Sequence, residues 1–246
     1  MLYRKLASAA AALAVGLGVF ANAIAEDNPT PQAIVDKYVK ATGGADKWKA
    51  VKSRSAKGTL NVVSMGMTGS LSSAVQGDDA KQVMALDGFG EFLSGVKDGK
   101  PWSSNMMQGD VLLEGDEAKQ ALRQLDLAEW VNWQQHYKSA ETVGEEAVGD
   151  SPAWKVNFTP ETGDPVTFWF AKDSGLIIQS YGPGMGGPAT TIYKDYKDVN
   201  GLLVAHTQAI ESMNGPVEMT FETIEFNKEI DPTTFDVPET IAALMK

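Results

Sequence analysis

Cysteine is missing from all 246 residues, so no disulfide, thiol nucleophile or thiolate ligand is available and the fold must rest on a packed core. Histidine is nearly missing too. His136 and His206 are the only two, and neither lies in an HExxH or Cys/His cluster, which excludes the usual zinc-hydrolase signatures. His206 reads as a partnered residue in mid-strand. There is no GxSxG elbow to carry a serine nucleophile. Positive charge is in deficit: 21 Lys and Arg stand against 32 Asp and Glu, a formal charge of −11. Loss of residues 1–25, which contain Arg4 and Lys5 but no acid, takes it from −11 to −13. Such a field repels polyphosphate and anionic surfaces, and nucleic acid is excluded as a partner.

What is present begins with MLYRKLASAAAALAVGLGVFANAIAED. A basic start, an apolar stretch from Ala9 to Ala21 and the small-residue site Ala23-Ile24-Ala25 predict a secretory signal peptide over residues 1–25, cleaved after Ala25 or Ala23. The apolar stretch is 13 residues, short of the ~20 of a membrane-spanning helix. Neither cleavage site offers a cysteine for lipid attachment. A periplasmic location follows as the expectation. With 43% hydrophobic residues and no Pro/Ser-rich linker or low-complexity run, residues 26–246 are expected to form one domain.

TPQAIVDKYVKATGG predicts the first element, a helix. Thr30 caps it, Pro31 takes the first helical position, and Gly43-Gly44 end it. Ile34, Val35, Tyr38 and Val39 form its apolar stripe. ADKWKAVKS predicts a further short turn with Trp48 facing inward. From Ser53 the pattern changes to period two, punctuated by Gly66, Gly77-Asp78, Gly88 and Asp98-Gly99. GDEAKQALRQLDLAEWVNWQQHY then predicts one long helix, with Ala118, Ala121, Leu122 and Leu125 at helical spacing. Strands resume in AWKVNFT, PVTFWFA, GLIIQSY, TTIYKDY, LLVAHTQAI and VEMTFETIEF. In the last of these the apolar residues shift phase near Thr223, which predicts a bulge. The sum is roughly ten strands in sequential hairpins, mainly β, with the N-terminal and mid-chain helices inserted, which predicts a strongly curved antiparallel sheet or partial barrel whose concave face the two helices partly cover.

Three stretches invite a site. Asp195, Asp198 and Asn200 before Gly201 resemble a calcium loop, but with Gly201 at position 6 the first and twelfth positions fall on Tyr196 and Thr207, which are not the ligands required. Asn200-Gly201 instead meets the positive-φ demand of a type I′ hairpin turn between apolar alternations. YGPGMGGPA, residues 181–189, lacks the GK[ST] ending of a phosphate loop and reads as a loop between strands. Glu218 and Glu222 share a strand face opposite Met219 and Phe221 and read as outer surface. The methionines in and beside the strands suit either an adaptable cavity or an irregular core.

Six segments carry a family resemblance: IVDKYVKATGGADKWKAVKSRSAKGTL, DGKPWSSNMMQGDVLLEG, VGEEAVGDSPAWKVNFT, FWFAKDSGLI, YKDYKDVNGLLVAH and EFNKEIDPTTFDVP. In this order they resemble a longer branch of the LolA-like superfamily, the periplasmic proteins related to the outer-membrane lipoprotein-sorting carrier. The resemblance implies a half-open barrel with a helical lid over a hydrophobic cavity for acyl chains, and no cofactor or metal. It implies inner- and outer-membrane transport proteins as partners, with lipoprotein passed by affinity rather than by catalysis. The sorting carrier's cavity arginine has no identifying motif here; Arg54 and Arg123 are the two arginines beyond residue 25. The function expected is a non-enzymatic carrier of lipid or lipoprotein acyl chains. Its cavity candidates are Trp102, Met106, Met107, Phe168 and Phe170, with Leu122, Leu125, Trp130 and Trp133 on the covering helix. The alternative is an envelope sensor or interaction module using the same half-barrel to recognise a protein or lipoprotein.

Overall fold

The computed structural model describes residues 28–161, 163–184 and 187–246. The expected signal peptide lies outside the described residues, as do Met185 and Gly186 in the Gly-rich stretch.

Two helices come first, α1 (Pro31–Ala41) and α2 (Ala45–Lys49), and six strands follow: β1 (Ser53–Val62), β2 (Met67–Gln76), β3 (Asp79–Leu86), β4 (Gly90–Lys97), β5 (Lys100–Asn105) and β6 (Gly109–Leu112). Helices α3 (Gly115–Arg123) and α4 (Trp133–His136) lead to seven more strands: β7 (Tyr137–Val148), β8 (Ser151–Pro160), β9 (Val166–Ala171), β10 (Ile177–Gly184), β11 (Gly187–Val199), β12 (Leu202–Ser212) and β13 (Gly215–Phe226). A 3₁₀ turn (Pro232–Phe235) and α5 (Glu239–Leu244) finish the chain.

Among the described residues the 13 strands form one antiparallel sheet, in the order β6-β5-β4-β3-β2-β1-β13-β12-β11-β10-β9-β8-β7. Every neighbour is a sequential hairpin except β1 and β13, which join the two halves. The sheet does not close. Its edges are β6 and β7, and residues 113–136 run from one edge to the other. The sheet bends strongly: Leu71 on β2 and Phe168 on β9 line one cavity, although six strand spacings at ~4.8 Å would hold them ~29 Å apart in a flat sheet.

The sequence reading of roughly ten strands is corrected to 13, because it passes over β5, β6 and β7. Two of these are the sheet edges. β6 is only four residues long, and β7 carries Lys138, Glu141, Glu145 and Glu146, all exposed. Short or charged edges discourage pairing with other chains, and the same features hide them from a search for apolar alternation. The 181–189 stretch is also mostly strand, since β10 continues to Gly184 and β11 begins at Gly187.

The long mid-chain helix is corrected as well. It stops at Arg123 and resumes only for the four residues of α4. Asp126 is the cause. Its Oδ1 accepts from the Ala128 N–H at 2.9 Å and from Asn132 Nδ2 at 3.1 Å, while Oδ2 lies 2.7 Å from His136 Nε2. An aspartate that bonds its own backbone two residues on offers the chain a turn in place of the helix.

Other local expectations are met. Thr30 Oγ1 accepts from the Ala33 N–H at 3.2 Å, and Ile34, Val35 and Val39 of α1 are buried against Val156, Phe158, Phe170 and Ile177. Trp48 faces inward, edge-on to Phe226 at 5.8 Å, its Nε1 donating to Thr42 Oγ1 at 3.0 Å. Asn200 and Gly201 have φ of 57° and 81°, Val199 pairs with Leu202, and Asp198 Oδ1 accepts from the Gly201 N–H at 3.0 Å. That carboxylate is therefore part of the hairpin turn. His206 is buried in β12, with Nδ1 3.1 Å from the Val204 carbonyl oxygen.

The bulge near Thr223 is present. Lys57 pairs with Thr223 but Gly58 pairs with Phe221, which leaves Glu222 as the extra residue of β13. Gly58 permits the close approach, since a Cβ there would lie 1.9 Å from the Thr220 carbonyl oxygen. Met219 and Phe221 before the bulge and Ile224 and Phe226 after it all line the same cavity.

Candidate functional site

The concave face of the sheet and the segment after α3 enclose between them a cavity of about 450 Å³. Strand alternation supplies its floor. On β1 the inward set is Arg54, Ala56, Leu60 and Val62; on β2 it is Leu71, Ser73 and Val75. On β11, Asp195 adopts φ of 56°, and across that interruption Tyr193 and Tyr196, three residues apart, both reach the interior. The Tyr196 hydroxyl donates to the Ile177 carbonyl at 2.6 Å, and the Tyr193 hydroxyl lies 3.1 Å from Ser180 Oγ. Burial holds the phenols of Tyr38, Tyr193 and Tyr196 above their ordinary pKa, so they remain protonated hydroxyls.

The roof is the turn between α3 and α4. Gln124, Leu127, Glu129 and Trp130 all line the cavity from above. Trp130 is inserted among four rings from three other elements, edge-on to Phe168 at 4.8 Å, Tyr38 at 5.5 Å, Phe158 at 5.7 Å and Phe170 at 5.8 Å. Edge-to-face contacts of this kind add about 0.5–1.5 kcal/mol each beyond area burial, so this tryptophan is the roof's main apolar anchor. Its polar anchor is the Asp126 hub described above.

Charge in the roof is unevenly settled. Burial would raise the Asp126 pKa, but the hydrogen bonds from His136, Asn132 and the Ala128 amide outweigh it and hold the carboxyl below its ordinary value. Glu129 goes the other way: burial raises its pKa, against the pull of Arg123, whose Nε lies 3.4 Å from Oε1. Arg123 also lies over the Tyr137 ring at 5.3 Å. Beneath them Arg54 projects into the cavity, its Nε cut off from solvent with no hydrogen-bond partner.

Of the nine residues expected from sequence, the structure brings Trp130 and Phe168 to the cavity wall. Phe170 and Trp133 lie one layer behind, buried in the aromatic core with Phe158. Trp169 takes the opposite face, its Nε1 donating to Glu146 Oε1 at 2.9 Å. Leu125 packs against the Val75, Ala80 and Val96 cluster and lines a smaller recess of about 310 Å³ beside α2. Leu122 is 37% exposed and Trp102 is fully buried in β5, both away from the cavity lining. Met106 and Met107, 78% and 77% exposed, stand at the tip of the β5–β6 hairpin.

Those methionines belong to a different feature. In a meander the hairpin turns alternate between the two ends of the sheet. One end carries exposed Val63, Met65, Phe89, Met106, Met107 and Met213 beside the exposed acids Asp87, Glu161 and Asp164, and turns at the other end carry Asp78, Asp98, Asp150 and Asp173. Sequence reasoning names Arg54 as one of two arginines without assigning it a place, and does not single out Glu129 or Tyr193. For Arg54 a signal exists, because it falls in phase with Ala56, Leu60 and Val62 on a strand whose other face is polar. Among the described residues there is no group of acids and histidines that could hold a metal ion.

No protein-family model matches the chain, and no curated protein matches it. Solved structures do. A DUF1329 family protein from Desulfovibrio piger superposes with a TM-score of 0.57 at 12% identity, over 85% of this chain and 98% of that one. A LolA superfamily protein from Nitrosomonas europaea gives 0.57 at 10% identity, over 85% and 99%. A Vibrio parahaemolyticus structure described as an outer membrane lipoprotein-sorting protein domain gives 0.51 at 13%, over 82% and 97%. The fold is LolA-like. This LolA-like fold matches nearly the full length of each of those structures.

Proposed function

We infer that the protein is a non-enzymatic carrier of the bacterial cell envelope, which holds an acyl chain of a lipid or lipoprotein in the cavity between the sheet and the Trp130 turn. The observation that carries this reading is the cavity itself, walled by Leu71, Met219, Phe221, Ile224 and Phe168 and roofed by one aromatic anchor. Each methylene moved from water onto such walls contributes roughly 0.8 kcal/mol. At 450 Å³ the cavity is at the scale of pockets that hold one small organic ligand. A LolA-like fold supports the reading, since one solved structure of that fold is described as a lipoprotein-sorting domain, and so does the N-terminal sequence with its export signal. Transport proteins of the two membranes are the partners this role requires.

The test is native mass spectrometry of protein purified from the periplasm without detergent, followed by extraction and identification of the bound lipid. A stoichiometric acyl-bearing adduct is the expected result. A bare mass that incubation with envelope lipids leaves unchanged would overturn the carrier.

The exposed Met and Phe fringe at one end of the sheet favours a second reading, an interaction module that docks a protein or lipoprotein there. Flexible thioethers suit varied partners. This module would be empty at rest and would capture its partner whether or not the cavity were filled with a bulky residue, which separates the two readings.

A further inference from the structure

The apolar walls specify a chain but not the head group attached to it, and the charges around the cavity bear on that. Four charged side chains line it: Arg54, Lys81, Asp126 and Glu129. The two acids each have a partner on the roof segment, Asp126 with His136 at 2.7 Å and Glu129 with Arg123 at 3.4 Å. Lys81 is held by a neutral group, the Asp236 carbonyl at 2.6 Å. Arg54 is in none of the ion pairs among the described residues, and its Nε is sealed off without a partner.

Burial lowers the Arg54 pKa, and the more distant Glu129 only partly offsets this. An arginine in a protein nonetheless keeps its proton. The cavity therefore contains a whole positive charge that nothing in direct contact neutralises. A buried, unpaired charge is costly to a fold, and a guanidinium is a rigid fork shaped for two anionic oxygens. Arg54 stands on an inward strand face between its cross-strand partners Val75 and Phe226, with Ala56 two residues on and Leu71 and Phe221 further along the same cavity beside Gly58, so an anion reaching it must bring apolar surface along. General attraction does not explain such a ligand, because the chain as a whole carries −11.

We propose that the cavity selects amphiphiles with a single aliphatic chain and an anionic oxygen head group, a carboxylate or a phosphate monoester, with the head on Arg54 and the chain along Leu71 and Phe221. This rests on the carrier reading and deepens it: the cargo is chosen by its head as well as held by its tail. A second role follows for the roof, since Glu129 and Arg54 face the same space and the anion takes the place that a closer Glu129 would otherwise fill.

The experiment uses three probes with the same 16-carbon chain, hexadecanoate, hexadecyl phosphate and hexadecanol, each kept below its solubility limit and measured against delipidated protein by displacement of a bound fluorescent fatty acid. At least one anionic probe is expected to bind about tenfold or more tightly than the alcohol, the size of one hydrogen-bonded charge, and the tighter of the two names the head group. In Arg54→Gln the ratio of anion to alcohol falls to about one, and in Arg54→Lys it is intermediate. Equal affinity of all three probes for the wild-type protein would overturn head-group selection while leaving the carrier intact, as would a preference that survives in Arg54→Gln. Failure of all three to bind would overturn the carrier reading and the proposal together. Because the wild-type ratio alone decides, the proposal remains falsifiable even if Arg54→Gln does not fold.

Discussion

Asp126 and His136 stand ten residues apart in sequence with Oδ2 and Nε2 2.7 Å apart, and the contact ties the two ends of the roof together. It also explains why the roof is a turn rather than a helix. The same carboxylate binds Asn132 and the Ala128 amide, so one side chain organises the segment that carries Glu129 and Trp130.

Removing that carboxylate is therefore expected to loosen the roof selectively. Asp126→Ala leaves His136 and Asn132 without their acceptor, at a cost of about 1–3 kcal/mol, and amide exchange should accelerate in residues 124–136 more than in β1 or β13. The pH dependence has a definite sign. The folded pKa of Asp126 lies below its ordinary value, so its stabilisation is complete above the ordinary ~3.9 and disappears as pH falls through the folded value. Urea melts should show a gap between wild type and Asp126→Asn that is constant at neutral pH and narrows below about pH 4.

Glu129 predicts the reverse. Its folded pKa is raised, with burial as the largest cause, so the neutral form is favoured by folding. Its stabilisation is present below the ordinary ~4.3 and is lost as pH rises through the folded value. Glu129→Gln keeps the shape without the charge. It should melt higher than wild type at pH 7, with the difference vanishing below about pH 4. A lower melting temperature at pH 7 would show that the Arg123 pair outweighs desolvation.

Much of this architecture is legible in the sequence where a local signal carries the information. Asn200-Gly201 announces its hairpin because few residues accept positive φ twice in succession, and the phase shift from Phe221 to Ile224 announces the bulge because side-chain direction has a period of two. The edge strands are not legible, because β7 is charged for the same reason that it is an edge. The roof is misread for a different reason. Ala118 to Leu125 has helical spacing, and only the tertiary hub at Asp126, which needs His136 ten residues on, stops the helix. Phe168 and Trp130 can be chosen as aromatic candidates from sequence, but their meeting depends on the turn after α3 folding back over β8 and β9. Arg54 is instructive: the sequence names it without placing it, because no motif identifies it, although its phase on β1 with Ala56, Leu60 and Val62 points inward against the usual placing of charges outside.

The junction of the two halves of the sheet offers a third prediction. Gly58 lies against the Thr220 carbonyl with no room for a Cβ, so Gly58→Val must separate β1 from β13 or shift the register of one past the other. A one-residue slip would turn Met219 and Phe221 away from the cavity. Loss of about 3 kcal/mol or more is expected, within the tail reserved for backbone clashes. Gly77→Ala, in a turn where an added Cβ meets nothing, is the control, and costs only the strain of its positive φ, on the order of 1 kcal/mol. Urea denaturation of the two variants measures both.

Trp130 decides whether the roof governs ligand exchange. Four ring contacts hold it, and the backbone around it is turn rather than helix or strand, so the ring is the apolar counterpart of the Asp126 hub in keeping residues 124–132 down. Trp130→Ala removes those contacts and opens the space they fill, for which large-to-small aromatic changes typically cost about 3–5 kcal/mol. Because the ring is only half-buried, the lower end of that range applies. If the roof must lift for a chain to leave, a loss of 3 kcal/mol from the closed state accelerates release of a fluorescent fatty acid by roughly two orders of magnitude, while the β-sheet circular dichroism stays unchanged. Trp130→Phe, which retains an aromatic ring in the cage, should fall between the two. A release rate that is the same in all three proteins would mean that ligands enter past the β6 and β7 edges without disturbing the roof, and that Trp130 is core rather than latch.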